Sequence, residues 1–147
     1  MRVDGVRACP FCGSLRLSEK SIGNTAFIRC DECGAHGPHV SAQSDSETME
    51  ELHGYACYAW QERDYRATMD AYEFGSSSRC PFCGCTRNTT SENLKERGTS
   101  TTCDACRARG PLIESSLDDR GFRDSKVYFQ RRDHLTARRT LGNKVII

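Results

Sequence analysis

The stretch Cys9-Pro10-Phe11-Cys12-Gly13 returns 71 residues later as Cys80-Pro81-Phe82-Cys83-Gly84, and the reading of the whole chain follows from that repetition. The likeness continues past the first cysteine pair. Cys30-Asp31-Glu32-Cys33, followed by Gly37-Pro38, returns as Cys103-Asp104-Ala105-Cys106, followed by Gly110-Pro111, at an offset of 73, so the intervening loop has grown by two residues. A fainter third block aligns Ala59-Trp60-Gln61-Glu62-Arg63 with Tyr128-Phe129-Gln130-Arg131-Arg132. Self-similarity of this kind marks two copies of one supersecondary unit.

The cysteine spacings are C-x2-C-x17-C-x2-C and C-x2-C-x19-C-x2-C. Two residues between thiolates let a tight turn point both sulfurs inward, and two such turns supply the four soft ligands that tetrahedral zinc prefers. Pro10 and Pro81 fix φ after the first cysteine of each unit, and Gly13 and Gly84 permit the positive φ that often follows the second. Cys9, Cys12, Cys30 and Cys33 are therefore expected to hold one structural Zn2+, and Cys80, Cys83, Cys103 and Cys106 another. Each pair of knuckles would cap a hairpin: Leu15, Leu17, Ile22, Phe27 and Ile28 flank Gly23-Asn24 in the first unit, and Thr-rich stretches flank Gly98 in the second. The fold class this implies is a small, metal-stabilised α+β protein of two tandem four-cysteine zinc ribbons, each followed by an α-helix. Redox dithiols would call for a βαβ pattern, which does not surround these pairs. Iron suits the same four-thiolate geometry, but no other feature of the sequence supports it.

Composition agrees with a metal-dependent fold. Of 147 residues only 37% are apolar, the mean hydropathy is −0.65, and ten are cysteine. So little apolar surface builds a small core, whereas structural zinc contributes on the order of 10–16 kcal/mol in small finger peptides. The opening MRVDGVRACPFC holds no apolar run of signal-peptide length, and no run of about 18 apolar residues is long enough to span a bilayer. A cytoplasmic location without membrane association is expected, and a reducing cytosol favours metal over disulfides. The net charge of +1 conceals an asymmetry: residues 1–74 carry 7 Lys and Arg against 12 Asp and Glu, or −5, and residues 75–147 carry 14 against 8, or +6. Each zinc closed by four thiolates adds −2 to this count, taking +1 to −3.

The spacing of Met49, Leu52, Ala56, Ala59 and Trp60 predicts an amphipathic helix, entered through a capping pair at Ser44 and Glu47. Trp60 is expected to cover its own hairpin. Leu117, Phe122 and Phe129 predict a second helix from about Asp118 to Asp133. The expected organisation is a first ribbon with its helix over residues 1–64, a flexible connector over 65–79 ending in Gly75-Ser76-Ser77-Ser78, a second ribbon with its helix over 80–134, and a tail over 135–147 ending in the apolar Val145-Ile146-Ile147.

Two cysteines are left over. Cys57 falls in the first helix as a small apolar filler, and Cys85 stands where the other repeat has Ser14. His36, His39, His53 and His134 are expected as surface or packing residues. A four-thiolate zinc leaves no open coordination position, and no nucleophile, paired-carboxylate or phosphate-loop motif stands out, so the chain is not expected to be an enzyme. A basic, aromatic stretch toward the C-terminus carries Arg120, Arg123, Lys126, Arg131, Arg132, Arg138 and Arg139. It is either a solvated helix face or a surface for phosphates or a partner.

Residues 8–63 resemble the restriction-alleviation (Lar-type) family of short phage and prophage zinc-ribbon proteins. The resemblance rests on Cys9-Pro10-Phe11-Cys12-Gly13-Ser14, on Cys30-Asp31-Glu32-Cys33-Gly34-Ala35 with Gly37-Pro38, and on a helix closing with Ala59-Trp60-Gln61-Glu62-Arg63. The second unit reads as a diverged duplicate, with Arg107 in the place of a Gly and Phe129 in the place of the Trp. The resemblance implies a phage-encoded accessory protein in the host cytoplasm that modulates a host defence or DNA-processing enzyme and relieves type I restriction. A nucleic-acid-binding factor working through the basic C-terminal half is the competing expectation.

Overall fold

Both repeats fold around a hairpin bracketed by their cysteine pairs. The computed structural model describes residues 2–42, 48–93, 95–114 and 120–141. In the first unit β1 (Arg2–Val3), β2 (Leu17–Ile22), β3 (Thr25–Cys30) and β4 (Val40–Ser41) form an antiparallel sheet in sequence order; β5 (Asn88–Asn93), β6 (Gly98–Cys103) and β7 (Ile113–Glu114) do the same in the second. The register is conserved between the copies: Leu17 faces Cys30 in one hairpin and Asn88 faces Cys103 in the other. The repeat therefore extends to strand pairing. The result is a small α+β protein, as expected.

Four helices follow: α1 (Met49–Gln61), α2 (Tyr65–Phe74), α3 (Arg120–Gln130) and α4 (His134–Leu141). α1 lies on β3, and α3 lies on β6. The faint third block is explained by this packing. Trp60 on α1 is fully buried, and a Cβ on Gly37 would fall 2.8 Å from its ring. Phe129 on α3 stands in the same relation to Gly110, at 2.8 Å. The glycine of each Gly-Pro pair is the seat of the aromatic ring that closes the unit, and burying such a ring is worth roughly 1.5–3 kcal/mol. Trp60 is thus a core residue whose Nε1 donates to the Arg7 carbonyl at 2.7 Å.

Four expectations about boundaries need correction. The first helix is capped by Thr48, whose hydroxyl accepts the Glu51 amide at 3.1 Å; Ser44 and Glu47 lie outside the described residues. The second unit's first helix ends at Gln130, short of the expected Asp133, while Asp118 lies outside the described residues. The segment expected as a flexible connector is helical through Phe74, and the segment expected as a tail is helical through Leu141, while Val145-Ile146-Ile147 lies outside the described residues. The physical reason is that α2 and α4 pack against each other, and small Ala67, Ala71 and Ala137 are buried. The serine run after Gly75 is also tied down at its centre. Ser77 is buried, its amide donates to the Gln130 carbonyl and its hydroxyl to Asp70. A Ser-rich stretch behaves as a linker only where its polar groups have water as their partner.

The two units are braced across a pseudo-two-fold relation. His36 and Arg109 exchange both backbone hydrogen bonds, at 3.0 and 2.9 Å, which joins the two sheets. The His39 amide donates to the Cys106 carbonyl and the Leu112 amide to the Cys33 carbonyl, the same contact made twice. At the other end Asp64 caps α2 while its amide donates to Pro81, and Asp133 caps α4 while its amide donates to Pro10, both at 2.9 Å. Each cap carboxylate rests against the other unit's knuckle glycine: a Cβ on Gly13 would meet Asp133 at 2.9 Å, and one on Gly84 would meet Asp64 at 2.5 Å.

This brace has a measurable signature. Gly5 and Gly13 share a φ of 78°, so replacement by Ala strains both backbones alike, at roughly 1 kcal/mol. A Cβ on Gly5 meets no atom within 4 Å. Chemical denaturation should therefore find Gly13→Ala less stable than Gly5→Ala by a further ~1–3 kcal/mol, the typical cost of overpacking. Equal losses would mean that the Asp133 contact contributes nothing.

Candidate metal centre

Four knuckles are built on one hydrogen-bond pattern. The first cysteine of each pair donates its amide to the carbonyl five residues on and accepts the amide four residues on. Cys9 is bonded in this way to Ser14 and Gly13, Cys30 to Ala35 and Gly34, Cys80 to Cys85 and Gly84, and Cys103 to Ala108 and Arg107, at 2.8 to 3.1 Å. Closing the turn puts the fifth residue in left-handed backbone. Glycine fills that position three times, at φ 78°, 78° and 80°, and Arg107 fills it once at φ 69°.

These turns bring the expected sulfurs together. The Sγ atoms of Cys9, Cys12, Cys30 and Cys33 all lie within 4.8 Å of one another, as do those of Cys80, Cys83, Cys103 and Cys106. Cys9 and Cys33 are 3.7 Å apart, Cys12 and Cys30 3.6 Å, Cys80 and Cys106 3.6 Å, and Cys83 and Cys103 3.5 Å. A disulfide needs about 2.05 Å. A tetrahedral ion with metal–sulfur bonds of about 2.3 Å places its sulfurs about 3.8 Å apart, close to the spacing here. The chain thus carries two four-cysteine groups suited to two metal ions. In each, the first and third cysteines are buried and the second is exposed.

Electrostatics point the same way. Burial, and then the neighbouring sulfurs, push the Cys9 thiol well up, while hydrogen bonds from Cys12 and Cys33 pull the Cys30 thiol down. In the second group the Cys80 hydrogen bond leads in raising Cys103 to about 12. Sulfurs this close do not all ionise together unless a cation stands among them. With a divalent ion each group carries −2, and two arginines answer it. Arg63 and Arg132 are pulled down to about 10 by burial, while the charges of Cys9 and Cys80 act to raise both. They stay protonated at neutral pH.

Each arginine is held by its own unit and stacks on the other. Arg63 donates to the carbonyls of Trp60, Glu62 and Ala8 and lies 5.0 Å from the centre of the Phe82 ring. Arg132 donates to Phe129, Arg131 and Arg79 and lies 4.9 Å from the Phe11 ring. Trp60 meets Phe82 at 5.4 Å and Phe129 meets Phe11 at 5.9 Å. The Phe of each Cys-Pro-Phe-Cys-Gly turn is therefore an inter-unit contact as well as part of a knuckle. A desolvated cation over a ring is worth about 2 kcal/mol.

Protein-family models, curated proteins and solved structures all fail to match this chain.

The remaining sequence candidates are scattered. Arg132 is buried, with Nη1 and Nη2 donating to carbonyls, so its guanidinium is not presented at the surface. Lys126, Arg131 and Arg139 are exposed, Arg131 lying 4.8 Å from the Tyr128 ring. The side chains of Arg120, Arg123, Arg138 and His134 lie outside the described residues. Cys57 is half-buried on α1 with its sulfur 3.6 Å from His53 Nε2, and His53 in turn contacts Glu19. Cys85 joins neither group. The roles of Arg63, Asp64 and Asp133 were missed in the sequence. Their signal was present: the third repeat block continues one residue further, with Arg63-Asp64 answering Arg132-Asp133.

Metal analysis of the purified chain should return two ions per molecule, falling to one or none in Cys30→Ser and staying at two in Cys57→Ser. Because the units are braced, Cys80→Ser should also speed amide exchange in β2 and β3. Slow exchange there in the variant would show that the units are stable independently.

Proposed function

We propose that this chain is a non-enzymatic, phage-type protein of two structural zinc ribbons that docks on a host defence or DNA-processing enzyme and modulates it, with relief of type I restriction as the outcome. The observation that carries this reading is that the eight repeat cysteines group as two closed sets of four. Zinc suits a set made wholly of thiolates and needs no redox partner. With four sulfurs on each ion no position is left for a substrate, so the metal serves architecture and the chemistry of recognition falls to the surface. The resemblance of residues 8–63 to the restriction-alleviation family supports the partner class.

The exposed face of α1 supports a protein partner. Glu51, Tyr55, Tyr58 and Glu62 fall at helical spacing and are all exposed, Tyr58 at 69%. Tyrosines are enriched at protein interfaces, and the flanking carboxylates would complement a basic surface on the target. No helix among the described residues is long and apolar enough to cross a membrane.

An affinity pull-down of the zinc-loaded protein from nuclease-treated bacterial lysate tests the reading. A restriction–modification or other DNA-processing subunit should be retained in near-stoichiometric amount, and Tyr58→Ala with Glu62→Ala should lose it without lowering the melting temperature. If nuclease strips away everything bound, the protein acts on nucleic acid directly.

A further inference from the structure

The joint between the units contains a groove of about 520 Å3 that neither metal group uses. Ser91, Ser100 and Thr102 line it from β5 and β6, His36 and His39 from the first unit, and Lys95, Arg107 and Arg109 from the second. That volume falls in the usual range for small-ligand sites.

Three observations bear on what the groove can hold. First, the repeat is asymmetric here. In the first unit the Phe27 ring packs 4.5 Å from His36 and 4.7 Å from His39, whereas the residue at the matching repeat position is Ser100, which leaves space and a hydroxyl where the first copy has a ring. Second, Arg107 occupies left-handed backbone that the other three knuckles give to glycine, at a cost of roughly 1 kcal/mol. Strain retained at one copy of a repeated turn points to a use for the side chain that glycine would lack. Third, Arg109 is more than nine-tenths buried at its side chain. Its Nη1 pairs with Glu96 at 2.8 Å and its Nη2 donates to Gly34 at 2.6 Å, while its Nε, like those of Arg29, Arg63 and Arg132, has no hydrogen-bond partner among the described residues; of these four arginines, Arg109 is the one that lines the groove.

The lining has the chemistry of an oxyanion site. Lys95, Arg107 and Arg109 outnumber Glu92, which lines the groove, and Glu96, which pairs with Arg109. The serine and threonine hydroxyls add neutral donors. Burial holds His36 down at about 3, and burial and then Arg107 lower His39, so neither adds charge at neutral pH. Instead the two rings stack at 4.9 Å, and exposed His39 offers a flat π surface beside the cations, as an aromatic platform for a base does.

We propose that this groove binds a phosphate-bearing ligand of nucleotide size, with the phosphate on Arg107, Arg109 and Lys95 and the base against His39. The ligand is either a free nucleotide or one nucleotide of a single strand. The site is separate from the α1 face, so it stands whether or not that face captures a protein.

The test is calorimetric titration of the full-length, metal-loaded protein with inorganic phosphate, adenosine monophosphate and a single-stranded decanucleotide. Arg107→Gly supplies the residue that the other knuckles use, so its melting temperature should hold or rise while affinity falls by about tenfold or more, as the loss of one charge-assisted contact implies. Ser100→Phe should abolish binding by filling the groove as Phe27 fills the first unit. Tighter binding of the monophosphate assigns a free nucleotide, and tighter binding of the decanucleotide assigns a strand; both support the site when Arg107→Gly weakens them. Unchanged affinity in Arg107→Gly, or no binding of any of the three probes, overturns it.

Discussion

Two sets of four sulfurs, each within a sphere of contact smaller than 5 Å, impose the constraint on which the other features depend. Thiols at that spacing repel as they ionise, and a divalent ion that relieves the repulsion leaves a net −2 in a partly buried place. Buried charge is tolerated when it is paired. The charges of Cys9 and Cys80 act on both Arg63 and Arg132, and each arginine is fixed by carbonyls of its own unit. Because each guanidinium also lies on the opposite unit's Phe, placing positive charge near the two cysteine groups and joining the units are one arrangement. The core accordingly runs without a break from Cys9 and Phe11 through Trp60 to Cys80, Phe82 and Phe129.

Duplication within one chain gives the economy of a symmetric dimer without its obligation to be identical. Where the copies bear on the fold they agree: Ser18 bonds Asp31 and Thr89 bonds Asp104, both at 2.8 Å, tying the hairpin to the knuckle in each unit. Where they differ, the second copy exchanges Phe27 and Ile28 for Ser100 and Thr101 and accepts Arg107 in a glycine position. Threonine suits a strand as well as an aliphatic residue does, so the sheet survives the exchange. What changes is the surface at the joint, which becomes polar and open on one side.

Much of this was legible in the sequence. The two groups of four cysteines, the two hairpins, the helix bearing Trp60 and the duplication follow from spacing and periodicity, because a knuckle of the Cys-Pro-Phe-Cys-Gly kind is a local structure whose cysteines, proline and glycine sit within five residues. Helix boundaries were less legible. Residues 65–74 have no long apolar stripe, and their helix is held by Asp64 at its cap and by small side chains meeting α4, so its stability depends on a partner some 70 residues away in the chain. The serines that follow read as a linker until Gln130 and Asp70 are brought to them.

The sequence by itself determined the local chemistry: which sulfurs form each group, where the turns close, and which aromatic seals each hairpin. Tertiary structure decided what those groups face. Phe11 and Phe82 lie inside the knuckle motifs, yet whether they pack within a unit or across to the other is a question of long-range geometry, answered when Asp64 and Asp133 dock on the opposite turns. The same docking buries Arg132, which composition alone placed on a basic surface, and brings His36 beside Arg109 to form the groove. The physical reason is one of range. Coordination and turn geometry are fixed by neighbours in the chain, whereas burial and charge pairing are fixed by whichever surfaces the fold brings together.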